Sequence, residues 1–223
     1  QRFQNVISKV RFTLTQLQLA IKGEVVMTAE LQETLDSMFD AKVPHYWENT
    51  LTGDEFSWRL PTLGLWFSSL LNRDEQYRAW LNSGRPNSFW ISGFFNPAGC
   101  LTAMKQEVTR KHKADKWALD DVVLHSEVTN FESSKHVKQP PENGEGIYIH
   151  GLSLEGGALG LDGCLTESQP KVLYTTLPVL YVTATTSKAK GQAKDIYECP
   201  VYRYPSRGDR NLVFMASLKC SPD

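Results

Sequence analysis

His150, Ser153 and Glu155 lie close enough in sequence to invite a hydrolase reading. Acyl transfer needs a serine hydroxyl within reach of an imidazole that a carboxylate orients. The three residues occupy a segment with strand character, where His150 and Ser153 point to opposite faces. The glycine-flanked nucleophile elbow is also absent, so Ser153 is read as structural. Asp120 and Asp121 are adjacent carboxylates that strand geometry would likewise separate, which favours an edge or turn role over acid–base work. Gly156, Gly157, Gly160 and Gly163 form the one glycine-rich stretch. A phosphate loop would need a Lys-Ser/Thr pair and a following helix; with neither, a turn between strands is expected. His45, His112, His125, His136 and His150 show no metal-ligand spacing, although His125 and His150 could be cross-strand neighbours. Cys100, Cys164, Cys199 and Cys220 are far apart and read as free, mostly buried thiols of a reducing compartment. Arg207, Gly208 and Asp209 spell an integrin-type tripeptide inside PSRGDRN, which reads as a hairpin turn. No catalytic, cofactor-binding or metal-binding residue is assigned.

The bulk properties remove further classes. With a formal net charge of -1, no overall field favours nucleic acid or anionic lipid. No apolar run approaches the roughly 20 residues that span a bilayer, so no membrane partner is expected. The polar N-terminus lacks a secretory signal pattern, and there is no N-x-Ser/Thr acceptor. The sequence opens on Gln1 without an initiator Met, which suggests a piece of a longer polypeptide, although a processed N-terminus would look the same. Residues 105–116 carry five Lys/Arg side chains. Lys105, Arg110, Lys111 and Lys113 form a candidate patch for an acidic partner, or the solvated end of a helix. The six tryptophans read as core and interface anchors, with a sugar- or peptide-binding platform as the other use of one or two of them.

The elements that would position these groups change character from one half of the sequence to the other. Phe3, Ile7, Val10, Leu14, Leu17 and Ile21 recur at steps of three and four and predict one helix with an apolar stripe, stopped at Gly23. Thr28 can cap a second helix carrying Leu31, Leu35, Met38 and Phe39. Residues 45–61 read as an aromatic-bearing loop, held down by Trp47 and Trp58. A third helix starts near Thr62 and ends at Gly84 and Pro86; a fourth opens on Pro97 and has a basic end that suits the helix dipole. Past about residue 118 the period becomes two. Val122, Leu124 and Val128 alternate, as do Leu177, Val179 and Tyr181, and then Leu212, Phe214, Ala216 and Leu218. Residues 132–145 read as a long exposed hairpin connection, and residues 187–194 as a lysine-bearing loop. The expected fold is α+β: a helical part over 1–117, then a mostly antiparallel, β-barrel-like part over 118–223.

The segment EGIYIHGLSLEGG, residues 145–157, resembles a signature of the C-terminal domain of dynein heavy chains. FWISGFFNPAGCLTAMKQ (89–106), CLTESQPKVLYTTLPVLYVTA (164–184) and YECPVYRY (197–204) resemble the same domain in the same order. The wording is nearer to the axonemal than to the cytoplasmic kind, in its extended form. The sequence departs from the pattern in its EGGALGLDG turn and its polar insertion at 132–145. The resemblance implies a domain that follows the sixth AAA+ module, lies across one face of the ring and modulates motor output without hydrolysing ATP. Its partners would be the AAA+ modules of the same polypeptide, and microtubules only through the motor, in the axoneme of a cilium or flagellum. The stripe from Phe3 to Ile21 is the candidate ring-docking surface. The alternative is an independent sugar- or peptide-binding β domain, supported by the aromatic content.

Overall fold

The computed structural model describes residues 1–50, 52–190, 195–205 and 211–220. Helices α1 (Arg2–Ile21), α2 (Ala29–Phe39), α3 (His45–Glu48), α4 (Leu63–Ser83) and α5 (Pro97–Lys111) come first, interrupted only by strand β1 (Ser88–Trp90). Nine strands follow: β2 (Val122–Val128), β3 (Ile147–His150), β4 (Ser153–Glu155), β5 (Gly157–Leu159), β6 (Leu165–Glu167), β7 (Tyr174–Thr176), β8 (Leu180–Thr186), β9 (Ile196–Tyr202) and β10 (Leu212–Lys219). One short helix, α6 (Ser187–Lys190), lies among them. The α+β class follows directly. The protein forms two compact units, Gln1–Glu75 and Gln76–Asp223. The change of period near residue 118 falls inside the second unit, because α5 shares a core with the strands.

The first unit is helical. The Thr28 hydroxyl accepts from the Leu31 amide and caps α2. Gly23, at φ 79°, makes the turn between α1 and α2. Helix α1 packs on α2 and α3. Trp58 stacks on Trp66 at 5.0 Å between ring centroids, and Trp47 lies 5.5 Å from Trp66. The Arg73 guanidinium also sits over Trp58, 3.8 Å from the ring centroid. Arg73 is itself buried and donates to the Ser69 carbonyl and hydroxyl. A guanidinium can be placed there because the π face and the oxygens replace part of its water.

The second unit holds two four-stranded sheets and a hairpin. The first sheet has the order β1-β3-β8-β2, with β1 parallel to β3 and the other pairs antiparallel. The second has the order β10-β9-β4-β7 and is antiparallel throughout. Strands β5 and β6 form the hairpin. One core joins Leu101, Met104 and Val108 of α5 to Ile147, Ile149, Leu180 and Val182 of the first sheet, and to Leu154, Val201, Phe214, Ala216 and Leu218 of the second. Between β3 and β4, Gly151 leads the backbone from one sheet to the other at φ 81°; a Cβ there would come 2.3 Å from Trp90 Cδ1. No side chain fits, so glycine is required.

No closed barrel is found among the described residues. Strands β2 and β10 approach, and the Ser126 hydroxyl joins them in place of a ladder, accepting from the Ser217 amide and donating to its carbonyl. Several expectations need correction. Residues 132–145 do not connect a hairpin, because β8 lies between β2 and β3. The same spacing parts His125 from His150. The alternation of Leu177, Val179 and Tyr181 fails within β8, where the buried set is Leu180, Val182 and Ala184. Pro178 interrupts the run, and a one-residue shift exchanges the faces. Leu212 is exposed because a bulge separates it from Phe214. Between α4 and α5, β1 is followed directly by a 3-10 turn over Ile91–Gly93.

Candidate docking surface

On α1 the buried face is Val6, Val10, Thr13 and Leu17. The expected stripe is rotated from this by roughly 50°, at 100° per residue. Val10 and Leu17 are therefore inside the core, while Phe3, Ile7 and Leu14 are half-buried and Ile21 is 62% exposed. The expectation followed bulk, and the core instead took the smaller Val6 and Thr13. Thr13 can be buried because its hydroxyl donates to the Lys9 carbonyl one turn back. Phe3, Ile7, Leu14 and Ile21 form a second apolar flank beside the core face. Phe3 also stacks on Trp58, with 6.5 Å between centroids.

Other large apolar side chains of the first unit are exposed. Phe39 at the end of α2 is 90% exposed, and Val26 between α1 and α2 is 82% exposed. Phe12, Leu65 and Leu71 are exposed as well. The sequence showed Phe39 as part of an apolar face, and nothing in the pattern separated it from the buried Leu31. Helix α1 thus covers only part of its apolar stripe within the first unit.

Of the basic residues in and after α5, Lys105 and Lys111 make bonds within their own unit. The Lys105 ammonium donates to the Val122 carbonyl at 3.2 Å, and Lys111 donates to the Gly144 carbonyl. Arg110 and Lys113 are exposed. Lys105 and Lys111 thus tie α5 to neighbouring segments of its own unit.

The residues that suggested chemistry are dispersed. His150 Nδ1 is 2.8 Å from the Ser88 hydroxyl, not from Ser153. Burial lowers the His150 pKa to about 4, so the ring is neutral near pH 7. Asp120 and Asp121 lie in a 3-10 turn ahead of β2. Gly157 opens β5, and Gly160 and Gly163 form the β5–β6 turn. All four cysteines are free; only Cys199 is buried, and burial pushes its thiol up to about 11. Among the described residues, no three His, Cys, Asp or Glu side chains are grouped to hold a metal. Likewise, no helix among them is long and apolar enough to cross a membrane. The Arg207-Gly208-Asp209 turn, like residues 191–194 of the lysine-bearing loop, lies outside the described residues. An open groove of about 850 Å³ on the second sheet is lined by Leu154, Leu165, Leu173, Tyr197, Pro200 and Tyr202 among others.

The described residues form an α+β fold whose first helix carries an apolar flank beside its core face. The family model for the C-terminal domain of dynein heavy chains matches residues 1–223. The protein is 46% identical over its whole length to human dynein axonemal heavy chain 8. It is 44% identical over 98% of its length to mouse dynein axonemal heavy chain 5. It is 42% identical over 98% of its length to the flagellar outer-arm dynein gamma chain of Chlamydomonas reinhardtii. The protein belongs to this family, the C-terminal domains of dynein heavy chains. It spans 5%, 4% and 5% of the lengths of these three relatives.

Proposed function

We propose that this is the C-terminal domain of an axonemal dynein heavy chain, working in a cilium or flagellum. It docks on the AAA+ modules of its own polypeptide and modulates microtubule motor output without a nucleotide site of its own. The observation that carries the docking is the exposed apolar surface of the first unit: Ile21, Val26 and Phe39, beside the half-buried flank of α1. Docking changes rate or force only where it favours one ring conformation over another. In the same reading residues 1–117 dock and residues 118–223 modulate, with the contact of β2 and β10 through Ser126 giving the strand part its barrel-like form.

The test is a full-length motor with Ile21→Ser, Val26→Ser and Phe39→Ser together, assayed for ATPase and microtubule gliding. Changed velocity or force with ATPase retained is expected; motor parameters identical to the parent would remove the docking claim. Truncation after residue 117 is the companion arm, with the drawback that it bares Leu101, Met104 and Val108 of α5. The second reading, a sugar- or peptide-binding β domain, rests on the groove beside Tyr197 and Tyr202. Peptide or glycan binding that Tyr202→Ala abolishes would favour it.

A further inference from the structure

His112 ends α5 between two carboxylates. Its Nδ1 is 2.8 Å from Asp115 Oδ2, and its Nε2 is 2.9 Å from Glu145 Oε1. The ring stacks on Trp117 at 4.2 Å between centroids, with 15° between planes. Three segments meet here: the C-terminus of α5, the turn that leads to β2 and the loop that leads into β3. Both partners of the ring are acceptors when ionised, and a neutral imidazole has a single N–H. Only the imidazolium donates to both at once. The neutral ring would turn a nitrogen lone pair towards one carboxylate.

Lys113 and Lys116 of the turn are exposed, and other groups near the junction bond elsewhere. Arg85 pairs with Glu107 at 3.3 Å and donates to the Gly146 carbonyl at 3.2 Å. Lys111 lies 4.0 Å from Glu107 and donates to the Gly144 carbonyl. The Tyr181 hydroxyl donates to the Glu145 carbonyl at 3.0 Å. These bonds reach the loop through its carbonyls, and the His112 imidazolium adds a further tie through the Glu145 side chain, while Asp115 and Trp117 bring in the turn.

We infer that His112 is a proton-operated clasp that fastens the loop before β3 and the turn before β2 to the end of α5. Hydrogen bonds from Asp115 and then Glu145 raise its pKa above the ordinary imidazole value, which supports the charged form. The folded pKa is raised, so the clasp is closed at and below pH 6.5 and opens as pH rises through the folded value. In the alkaline state the polar stretch 132–145 is held less tightly at its C-terminal end.

The experiment is hydrogen exchange by mass spectrometry on the full-length motor that contains this domain, at pH 6 and pH 9. Protection factors are corrected for the intrinsic pH effect and referred to a β8 peptide. Wild-type peptides covering 112–117 and 141–147 are expected to lose protection at the higher pH. His112→Gln is expected to give the low value at both pH values. Glu145→Gln supplies an amide donor to the neutral ring and is expected to keep the high value at both. A wild type with no response overturns the clasp, as does a response that survives in His112→Gln. If His112→Gln also exposes β8, Glu145→Gln decides: a wild-type response in that variant overturns the clasp.

Discussion

Where residues 76–223 close a mainly aliphatic core between α5 and two sheets, residues 1–75 build theirs around three packed indoles and a guanidinium. The larger unit is supplied by many elements, and each contributes a few side chains to a shared interior. The smaller unit has few elements. Helical units of this size bury a smaller fraction of their surface, so each large aromatic counts for more. The cost shows on the outside. Phe12, Ile21, Val26, Phe39 and Leu71 are more than 60% exposed in the first unit. Among the described residues of the second unit, which is twice as long, Leu81 and Leu161 alone are exposed to that degree. The helical unit thus leaves more of its large apolar side chains in water than the strand unit does.

The strongest test of the strand core is Phe214→Asp. A carboxylate would enter the interior shared by α5, β2 and β10, at a cost above about 4 kcal/mol. Chemical denaturation should show a large loss of midpoint, with exchange protection lost first across residues 76–223. A wild-type midpoint would place Phe214 at the surface and end the contrast.

Trp66→Ala tests the aromatic core. It removes the ring that contacts both Trp47 and Trp58 and should cost about 3–5 kcal/mol. The loss should be concentrated in residues 1–75. A loss below about 1 kcal/mol would mean that the indoles are a surface cluster, contrary to their burial.

The third test concerns pH. The folded pKa of His150 is depressed, to about 4. Between that value and 6.5 the unfolded state binds more protons, so this contribution is complete above 6.5 and is lost as pH falls towards 4. The size is on the order of 2–3 kcal/mol. His112 acts with the opposite sign, losing its contribution as pH rises. The second unit should therefore pass through a stability maximum near neutrality. Urea midpoints at pH 7 and pH 4.5 check the acid limb, and His150→Asn should flatten it. An unchanged acid limb in that variant assigns the effect to carboxylates instead.

The smallest expected stability effect is that of Phe39→Ser, within about 0.5 kcal/mol of the parent, since the side chain is already in water. Thermal melting checks it. A large destabilisation would show Phe39 to be part of a core, and the helical unit would lose its spare apolar surface.

Helix starts and stops were legible because they depend on near neighbours. Thr28 caps α2, Asn96 accepts from the Gly99 amide at the start of α5, and Pro97 takes the first position of that helix. The face of α1 was less legible. Periodicity reports which residues are apolar, and a helix with apolar residues over half its circumference admits more than one core face. Which of these faces is buried, the one with Val6 and Thr13, was settled by packing with α2 and α3. The phase of β8 turned on Pro178, whose effect on a strand depends on where the ladder begins.

The amino-acid sequence alone determined the class, the four long helices and the change to strands after them, the lack of a phosphate loop and the family resemblance, since each rests on local spacing or on runs of consecutive residues. Strand order was decided only in three dimensions: that β8 separates β2 from β3, and that β1 pairs in parallel with β3, depend on contacts between residues far apart in sequence. The same holds for the His112 junction. Asp115 was visible three residues away, whereas Glu145 reaches the ring only because β3 and α5 share one core.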